Sequence, residues 1–599
     1  MAAETANLDE QIADILARTK TIAIVGASGN WKRPSNFVMK YLQEAGYRVI
    51  PVNPGFAGKK ILGENTYATL ADIPDSVDMV DVFRPAKEAP DLARQAIAIG
   101  AKTLWLQLAI VSEEAAKIGE AAGLTVIMNH CPKIEHSRLS GSLGLIGFDS
   151  KLLTSRRRPV KRPPAPARAG GFFQSTNLET LAIHAGAAPD PNSGARTVPI
   201  VQSTSFVFDD ADHAASLFNL QTPGNIYGRL SNPTNAALEQ KLAALEGGRG
   251  TTCCASGHAA QIIALLPLMG PGTRLVAANR LYGGSVTQFG HTFKKFGWQA
   301  SFVDVDDLDA VRDAVAQEDV RALFVESLAN PGGVVSDLEP LAELAHAAGI
   351  PFIVDNTMAT PVLCKPFDHG ADIIVHSTTK FLSGHANAMG GAVIDSGRFD
   401  WGRGRGFPAL VEPEPAYHGI SFWESFGDLA YTNYGHAVGL RDLGPTMAPL
   451  NAFLTLTGIE TLPLRMERHV ANAAQVVAFL AKHPKVKSVS HAGLPESPWH
   501  ALAQKYLPAG AGSVFTFEVE GGYEAGKAVV AGCNIFSHLA NIGDTRSLIL
   551  HPASTTHRQL TQEQRDAAGV SEGVLRLSIG LENVEDLIAD LDAALTYAA

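Results

Sequence analysis

Three short stretches of this sequence set chemically able residues at the ends of apolar runs. In Val354-Asp355-Asn356-Thr357 an acid closes the run PFIVD. A buried carboxylate is costly unless it faces a cation, so Asp355 calls for a positively charged partner such as a protonated ring nitrogen. His376-Ser377-Thr378-Thr379-Lys380 follows a second apolar run, DIIV, and sets hydroxyls suited to a phosphate beside a lysine that can reach an aldehyde. Upstream, Ala255-Ser256-Gly257-His258-Ala259-Ala260 opens a helical run. Glycine at a helix N-terminus lets backbone amides approach a phosphate closely, and at His258 the amide rather than the ring is the expected contributor. Any one of these alone is ordinary, since most lysines are solvated surface residues. Together they match three of the needs of pyridoxal phosphate (PLP) chemistry, a lysine for the aldehyde, an acid for the ring nitrogen and donors for the phosphate, and leave an aromatic lid and an arginine for the substrate carboxylate to be supplied by Tyr282 and Arg576.

These stretches, with IYGRLSNPTNAALEQKLAALEGG, LYGGS, ESLANPGG and HPASTTHRQL, resemble the Cys/Met-metabolism family of PLP enzymes across residues 176 to 597. The resemblance implies a fold type I transferase in which Lys380, Tyr282 and Asp355 are catalytic, with PLP held covalently as a Schiff base on Lys380. Tyr282 would stack on the cofactor ring and border the substrate. Gly257, His258, Ser377 and Thr379 would hold the phosphate, with Thr357 beside them, and Glu326 and Asn330 would line the cofactor's hydroxyl side. Arg576, in VLRLSIG, would pair bidentately with the substrate α-carboxylate, next to Asn541. Tyr227 and Arg229 would reach the phosphate of a neighbouring subunit, which implies a homodimer or a homotetramer built from dimers.

Three features bear on the branch of the family. The stretch Phe399 to Leu464 looks like the insertion typical of members that act on O-acetylhomoserine with sulfide. HLANIGDTRSL carries Asn541 where lyases and cystathionine synthases usually have serine, and Tyr282-Gly283-Gly284 lacks the cysteine of methionine γ-lyases. Two departures touch fine substrate preference: His258 stands where that branch commonly has glutamine, and Gly402 to Gly406, GRGRG, lengthens a loop. The implied reaction is γ-replacement, in which sulfide, or methanethiol, displaces acetate. Cystathionine γ-synthesis, use of the O-succinyl ester, γ-elimination to 2-oxobutyrate and a purely CoA-responsive regulatory role stay open.

The first 150 residues carry a different kind of site. The turn Gly26-Ala27-Ser28-Gly29 follows the apolar run TIAIV and precedes Lys32, Arg33 and Pro34, a phosphate-binding arrangement of amides and cations. The dinucleotide fingerprint is missing, because Val52-Asn53-Pro54 stands where an NAD domain places an acid. IVGAS, RPSNFVMKYLQEAGYRVIPVNP, DVFRP and HCPKIEH resemble the stand-alone CoA-binding protein family over residues 8 to 145. By that resemblance Gly26, Ala27, Ser28, Lys32, Arg33 and Pro34 face the phosphates of CoA or an acyl-CoA, and Asn53, Pro54, Phe83 and Arg84 line the nucleotide cleft. A degenerate nucleotide fold kept for oligomerisation is the alternative. Cys131 is expected to be a buried structural thiol, since nucleophilic use needs a depressed pKa.

The elements that must position these residues follow from the alternation of apolar runs with helical patterns, which signals parallel sheets with crossover helices and ligands at the strands' carboxyl ends. The fold class is α/β. Residues 1–150 form a Rossmann-like CoA-binding domain, 151–172 a Pro/Arg-rich linker, 173–450 an N-terminal arm and PLP-binding domain, and 451–599 a smaller α+β domain. In Lys151 to Gly171 seven basic residues and no acidic one occur among prolines, which predicts a semi-rigid extended spacer. With 599 residues, 46% of them hydrophobic, the chain has apolar material for several cores, and a net charge of −11 argues against nucleic-acid binding. Five cysteines form neither a disulfide framework nor zinc-ligand spacing, and Cys253-Cys254 reads as small buried filler. No membrane span or export signal is legible, and a cytoplasmic enzyme of small-molecule substrates is expected.

Overall fold

A computed structural model describes residues 2–150, 175–331, 333–555 and 571–598. The expected spacer, and the end of the HPASTTHRQL stretch, lie outside the described residues. Three sheets organise the chain. The first is five-stranded and wholly parallel, in the order Arg48–Val52, Thr21–Val25, Met79–Val82, Thr103–Leu106, Thr125–Ile127. Its three central strands are buried along nearly their whole length, as a parallel sheet covered on both faces requires.

The second sheet has seven strands, in the order Gln299–Val303, Arg274–Ala278, Val320–Glu326, Phe352–Asp355, Ile373–His376, Gly391–Asp395, Gly250–Cys254. The first five are parallel, and Gly391–Asp395 runs antiparallel to both neighbours. Register decides the chemistry here: Glu326 pairs with Asp355, and Asp355 with Val375, one residue before His376. Three polar side chains therefore end adjacent strands on one edge of an otherwise apolar sheet. The third sheet joins Val486–Ser490, Val514–Val519, Val574–Ser578, Leu548–Leu550 and Ser537–His538, mostly antiparallel. The long helix Leu462–Leu480 buries Ala473, Val476, Val477 and Leu480 in the same apolar cluster as Phe515, Leu575 and Leu577 of this sheet.

The first unit packs directly on the enzyme body. One continuous apolar cluster runs from Phe37, Ile134, Leu143 and Phe148 into Leu238, Leu242 and Cys253 of the enzyme body. Phe148 forms a bridge to Gly250, and the Gln240 amide donates to Ser150 Oγ at 2.8 Å. Gly147 lies so close to the helix Pro233–Glu246 that a Cβ would stand 2.0 Å from Glu239 Oε2, at a φ of +92° that itself favours glycine. Arg249 pairs with Asp428 at 2.6 Å and also donates to the Asp149 carbonyl. Residues 143–150 are thus packed against the enzyme body before the expected spacer begins.

Candidate active site

Lys380 lies four residues beyond the strand Ile373–His376. Its ammonium donates to Asn541 Oδ1 at 2.6 Å, which ties the second sheet to the C-terminal unit. Burial, and then the nearby Arg576 guanidinium, push this lysine down to about 8. Arg576 sits in the middle of the strand Val574–Ser578, paired with Thr516 and Leu550. It donates to Asn330 Oδ1 at 3.4 Å and to the Asn541 carbonyl at 3.1 Å, and burial lowers it to about 10. Among the described residues no carboxylate lies within ion-pair distance of it. A guanidinium buried with only neutral acceptors is costly, and its planar fork fits the carboxylate of an incoming ligand.

The opposite charges collect on the other side. Asp355 Oδ1 accepts from the Thr357 amide at 2.9 Å, and burial raises the carboxyl above its ordinary range against the pull of that bond. Glu326 is raised as well, by burial first and then by Asp355. Its two oxygens are committed, Oε1 to the Tyr282 amide at 2.7 Å and Oε2 to the Asn330 amide at 3.1 Å. Among the described residues neither acid pairs with a lysine or arginine. A buried acid lifted by desolvation and lacking a cation fits a ligand that brings its own positive ring nitrogen.

The phosphate side is packed to close tolerance. Ser256 caps the helix Gly257–Leu265, its Oγ accepting from the Ala259 amide. A Cβ on Gly257 would lie 2.8 Å from that of Ser377, and one on Gly391 only 2.1 Å from the Ser256 carbonyl. The Ser377 amide donates to Thr357 Oγ1 at 2.8 Å. The Thr379 hydroxyl exchanges bonds with the Gly390 carbonyl and amide, so it also braces the following loop. Tyr282 is half exposed, with its ring edge-on to that of His258 at 6.0 Å. These donors, the lysine and the unpaired acid suit PLP: Lys380 would hold the aldehyde, Asp355 the ring nitrogen, and Gly257, His258, Ser377 and Thr379 the phosphate.

Lys380, Asn541, Arg576, Asn330, Glu326 and Tyr282 thus form one hydrogen-bonded chain, and Asp355, Thr357 and Ser377 a second beside it. Tyr227 and Arg229 stand apart. Tyr227 is exposed, the Arg229 guanidinium lies 5.6 Å from its ring and donates to the Arg441 carbonyl, and among the described residues no hydrogen bond joins either to the site.

Two contributors escape a reading of the sequence. Gln261, in the helix that opens at Gly257, donates to Ser285 Oγ at 2.8 Å, and burial raises Asp355 against a small opposing pull from this amide. The only signal was one amide within the apolar run IIALL and its flank. Behind Asp355, the buried His376 Nε2 meets Glu246 Oε1 at 2.6 Å, and the Asn356 amide donates to the same oxygen at 3.0 Å. Glu246 is 130 residues from His376, and nothing local pairs them.

In the first unit Gly26, at φ +87°, comes within a Cβ's reach of the Phe83 carbonyl, 2.7 Å, so only glycine lets the turn lie on the neighbouring strand end. Asn53 donates to the Ala27 carbonyl at 2.7 Å and accepts from the Gly55 amide, Asn36 ties down the Ser28 carbonyl, and Ser28 Oγ accepts from the Asn30 amide. Arg33 precedes, and Pro34 opens, the helix Pro34–Glu44. Lys32 rests over Trp31, and Arg84 forms a bidentate pair with Glu88. Pro54 begins a short turn of helix. A cleft of about 400 Å³ lies at this edge between Pro34, Phe83, Arg84 and Gln107, with Glu424 and Ser425 of the enzyme body on its rim. Beneath it the sequence reading passed over Asp81, a fully buried carboxyl raised to about 8 by desolvation, to which Gln107 donates at 2.9 and 3.0 Å. Cys131 is buried and its thiol pushed up to about 12, which agrees with a structural role.

Comparison with known proteins matches residues 179–596 to the family Cys/Met metabolism PLP-dependent enzyme, and residues 20–137 to the CoA binding domain family. The chain is 47% identical over 426 residues to an O-acetyl-L-homoserine sulfhydrylase of Leptospira meyeri, covering 70% of this chain and 96% of that protein. It is 45% identical over 429 residues to a homocysteine synthase of Schizosaccharomyces pombe, covering 71% and 99%. Among solved structures, a Campylobacter jejuni crystal structure described as O-acetylhomoserine (thiol)-lyase, with a pyridoxyl-lysine monophosphate, superposes with a TM-score of 0.68 at 42% identity, covering 70% of this chain and all of that one.

Proposed function

The chain belongs to the Cys/Met-metabolism family of PLP-dependent enzymes, and from that premise we propose that it replaces the γ-acetoxy group of O-acetyl-L-homoserine with sulfide, yielding homocysteine and acetate. The carrying observation is Asn541: the residue that separates this branch from serine-bearing relatives accepts from Lys380 through its side chain and from Arg576 through its carbonyl. When bound, PLP supplies an aldehyde for the substrate's amino group and a sink for negative charge at the adjoining carbons. Arg576 takes the α-carboxylate with its fork and Asn330 steadies it, which fixes how the rest of the substrate points. Lys380 then carries protons at Cα and Cβ, its depressed pKa leaving a usable share of neutral amine near neutrality. Asp355 holds the positive ring nitrogen, and Tyr282 covers the reacting face.

Tyr227 and Arg229, detached from the site of their own chain, are assigned to the phosphate of a neighbouring subunit in a homodimer or a tetramer of dimers. Co-expressing Lys380→Ala and Arg229→Ala, each inactive by itself, should restore about a quarter of the wild-type rate through mixed pairs; no recovery would place Arg229 in its own chain's site, and full activity of Arg229→Ala by itself would place it outside catalysis.

The first unit, which matches the CoA binding domain family, is assigned CoA or an acyl-CoA in the cleft by Arg84 and Gln107. Five free thiols support a reducing cytoplasm. The deciding measurement is the initial rate of homocysteine formation from O-acetylhomoserine and sulfide, with cysteine and water as rival acceptors and CoA titrated in. Homocysteine as main product supports the reading, whereas cystathionine or 2-oxobutyrate in its place overturns it.

A further inference from the structure

Where the first unit meets the enzyme body there is a second, mostly apolar cavity of about 110 Å³. Ile134 and Leu143 of the first unit, Leu220 and Ile226 of the arm, and Phe426 and Ala437 of the insertion contribute to its wall. At ~10–15 Å³ per water-sized occupant it admits a body of several heavy atoms, and an apolar lining favours hydrocarbon over ordered water.

One wall is charged. Lys133 is 92% buried, and its ammonium lies 5.0 Å from the Phe37 ring and 5.9 Å from the Phe426 ring, one from each side of the seam. Among the described residues no acceptor or carboxylate lies within hydrogen-bond or ion-pair distance of that ammonium. Two ring faces and the more distant Glu44 carboxylate offset only part of the desolvation cost of this cation, and a buried lysine is rarely left without an anion in contact. Burial lowers the amine to about 8, so it is still mostly protonated at neutral pH. Phe37 also lines the cleft by Arg84 and Gln107, which places Lys133 between the two cavities.

We propose that this chamber binds a compact aliphatic acyl group, as a free carboxylate or as the acyl end of a thioester, with the Lys133 ammonium as partner of its oxygen. An alkyl body matches the walls, a carboxylate neutralises the one charge or a thioester carbonyl accepts a hydrogen bond from it, and Phe37 beside the ammonium also lines the cleft toward which the polar remainder of a thioester would run. The proposal does not depend on the reaction assigned to the enzyme body, because its test reads binding alone.

The experiment is calorimetric titration of the full-length protein carrying PLP, as wild type and as Lys133→Met, with pentanoate, pentan-1-ol, CoA and pentanoyl-CoA. Methionine keeps the length and apolar contacts of the stem, and replacing a buried charge by an apolar side chain is generally tolerated. Pentanoate is expected to bind the wild type once per chain, to weaken about 10- to 100-fold in Lys133→Met, and to weaken above pH 8, while pentan-1-ol changes less than about twofold. A preference for pentanoyl-CoA over CoA that vanishes in Lys133→Met assigns the chamber to a thioester's acyl end, and equal binding of those two with Lys133-dependent pentanoate binding assigns it to the free acid. The proposal is overturned if pentanoate does not bind and pentanoyl-CoA gains nothing over CoA, or if Lys133→Met leaves every affinity as it was.

Discussion

The two parallel sheets of this chain end their strands in opposite ways. In the enzyme body Glu326, Asp355, Lys380 and Arg576 converge without any acid pairing with any base. In the first unit several charged side chains near the cleft already have partners: Arg84 is bidentate to Glu88, Lys32 rests over Trp31, and the buried Asp81 is raised to about 8 and held by Gln107, so that Lys133 behind the cleft is the exception. The turn of Gly26 and the helix opening at Pro34 add backbone amides and shape to that cleft. Sites that do chemistry must keep charges unspent until the ligand arrives, whereas sites that only hold a ligand can satisfy theirs beforehand. Substitutions in the first set should therefore change rates by orders of magnitude, and in the second change affinities modestly.

The largest effect is expected at Lys380. Lys380→Ala should lower homocysteine formation by ~10³-fold or more, since covalent anchoring and proton transfer are both lost. In the wild-type apoprotein, the rate at which Lys380 captures the aldehyde of added PLP should rise with pH through an inflection near 8 and level off above it, because only the neutral amine attacks and burial has brought its pKa down. An inflection near that of an ordinary lysine, ~10.4, would remove the electrostatic distinction between the two sheets. Asp355→Asn, which keeps the Thr357 bond but removes the charge, should cost ~10²–10³-fold in kcat with the cofactor still bound, in line with breaking a buried pair. A loss below about fivefold would detach Asp355 from the chemistry.

Arg576→Lys keeps a cation but not the fork, so KM for O-acetylhomoserine should rise ~10- to 100-fold with a smaller change in kcat. The smallest effect is expected in the first unit: Arg84→Ala should weaken CoA about tenfold by titration. A collapse of catalysis in Arg84→Ala at saturating substrate would break the comparison, by showing that the first unit's charges also serve the reaction.

Much of this division was legible in the residues. Asp355 and Lys380 stood out because a charge at the end of an apolar run is expensive wherever that run is buried, and Gly26 because the turn follows a strand and precedes a helix. The docking of the first unit was not legible. A basic, proline-rich stretch predicted a spacer, yet Phe148 and Ser150 are already seated on the enzyme body before that stretch begins.

The sequence by itself singled out Asp355 and Lys380 as candidates and showed how the elements alternate, because strand periodicity, turn chemistry and the cost of buried charge are local properties read over a few residues, and its motifs carried the resemblance to the Cys/Met-metabolism family. Only the tertiary structure decided that Asn541 closes on Lys380 across 161 residues, that Glu246 backs His376, and that Lys133 faces a chamber shared by two units. Such pairings depend on which surfaces meet when sheets pack, and sequence separation carries no record of it.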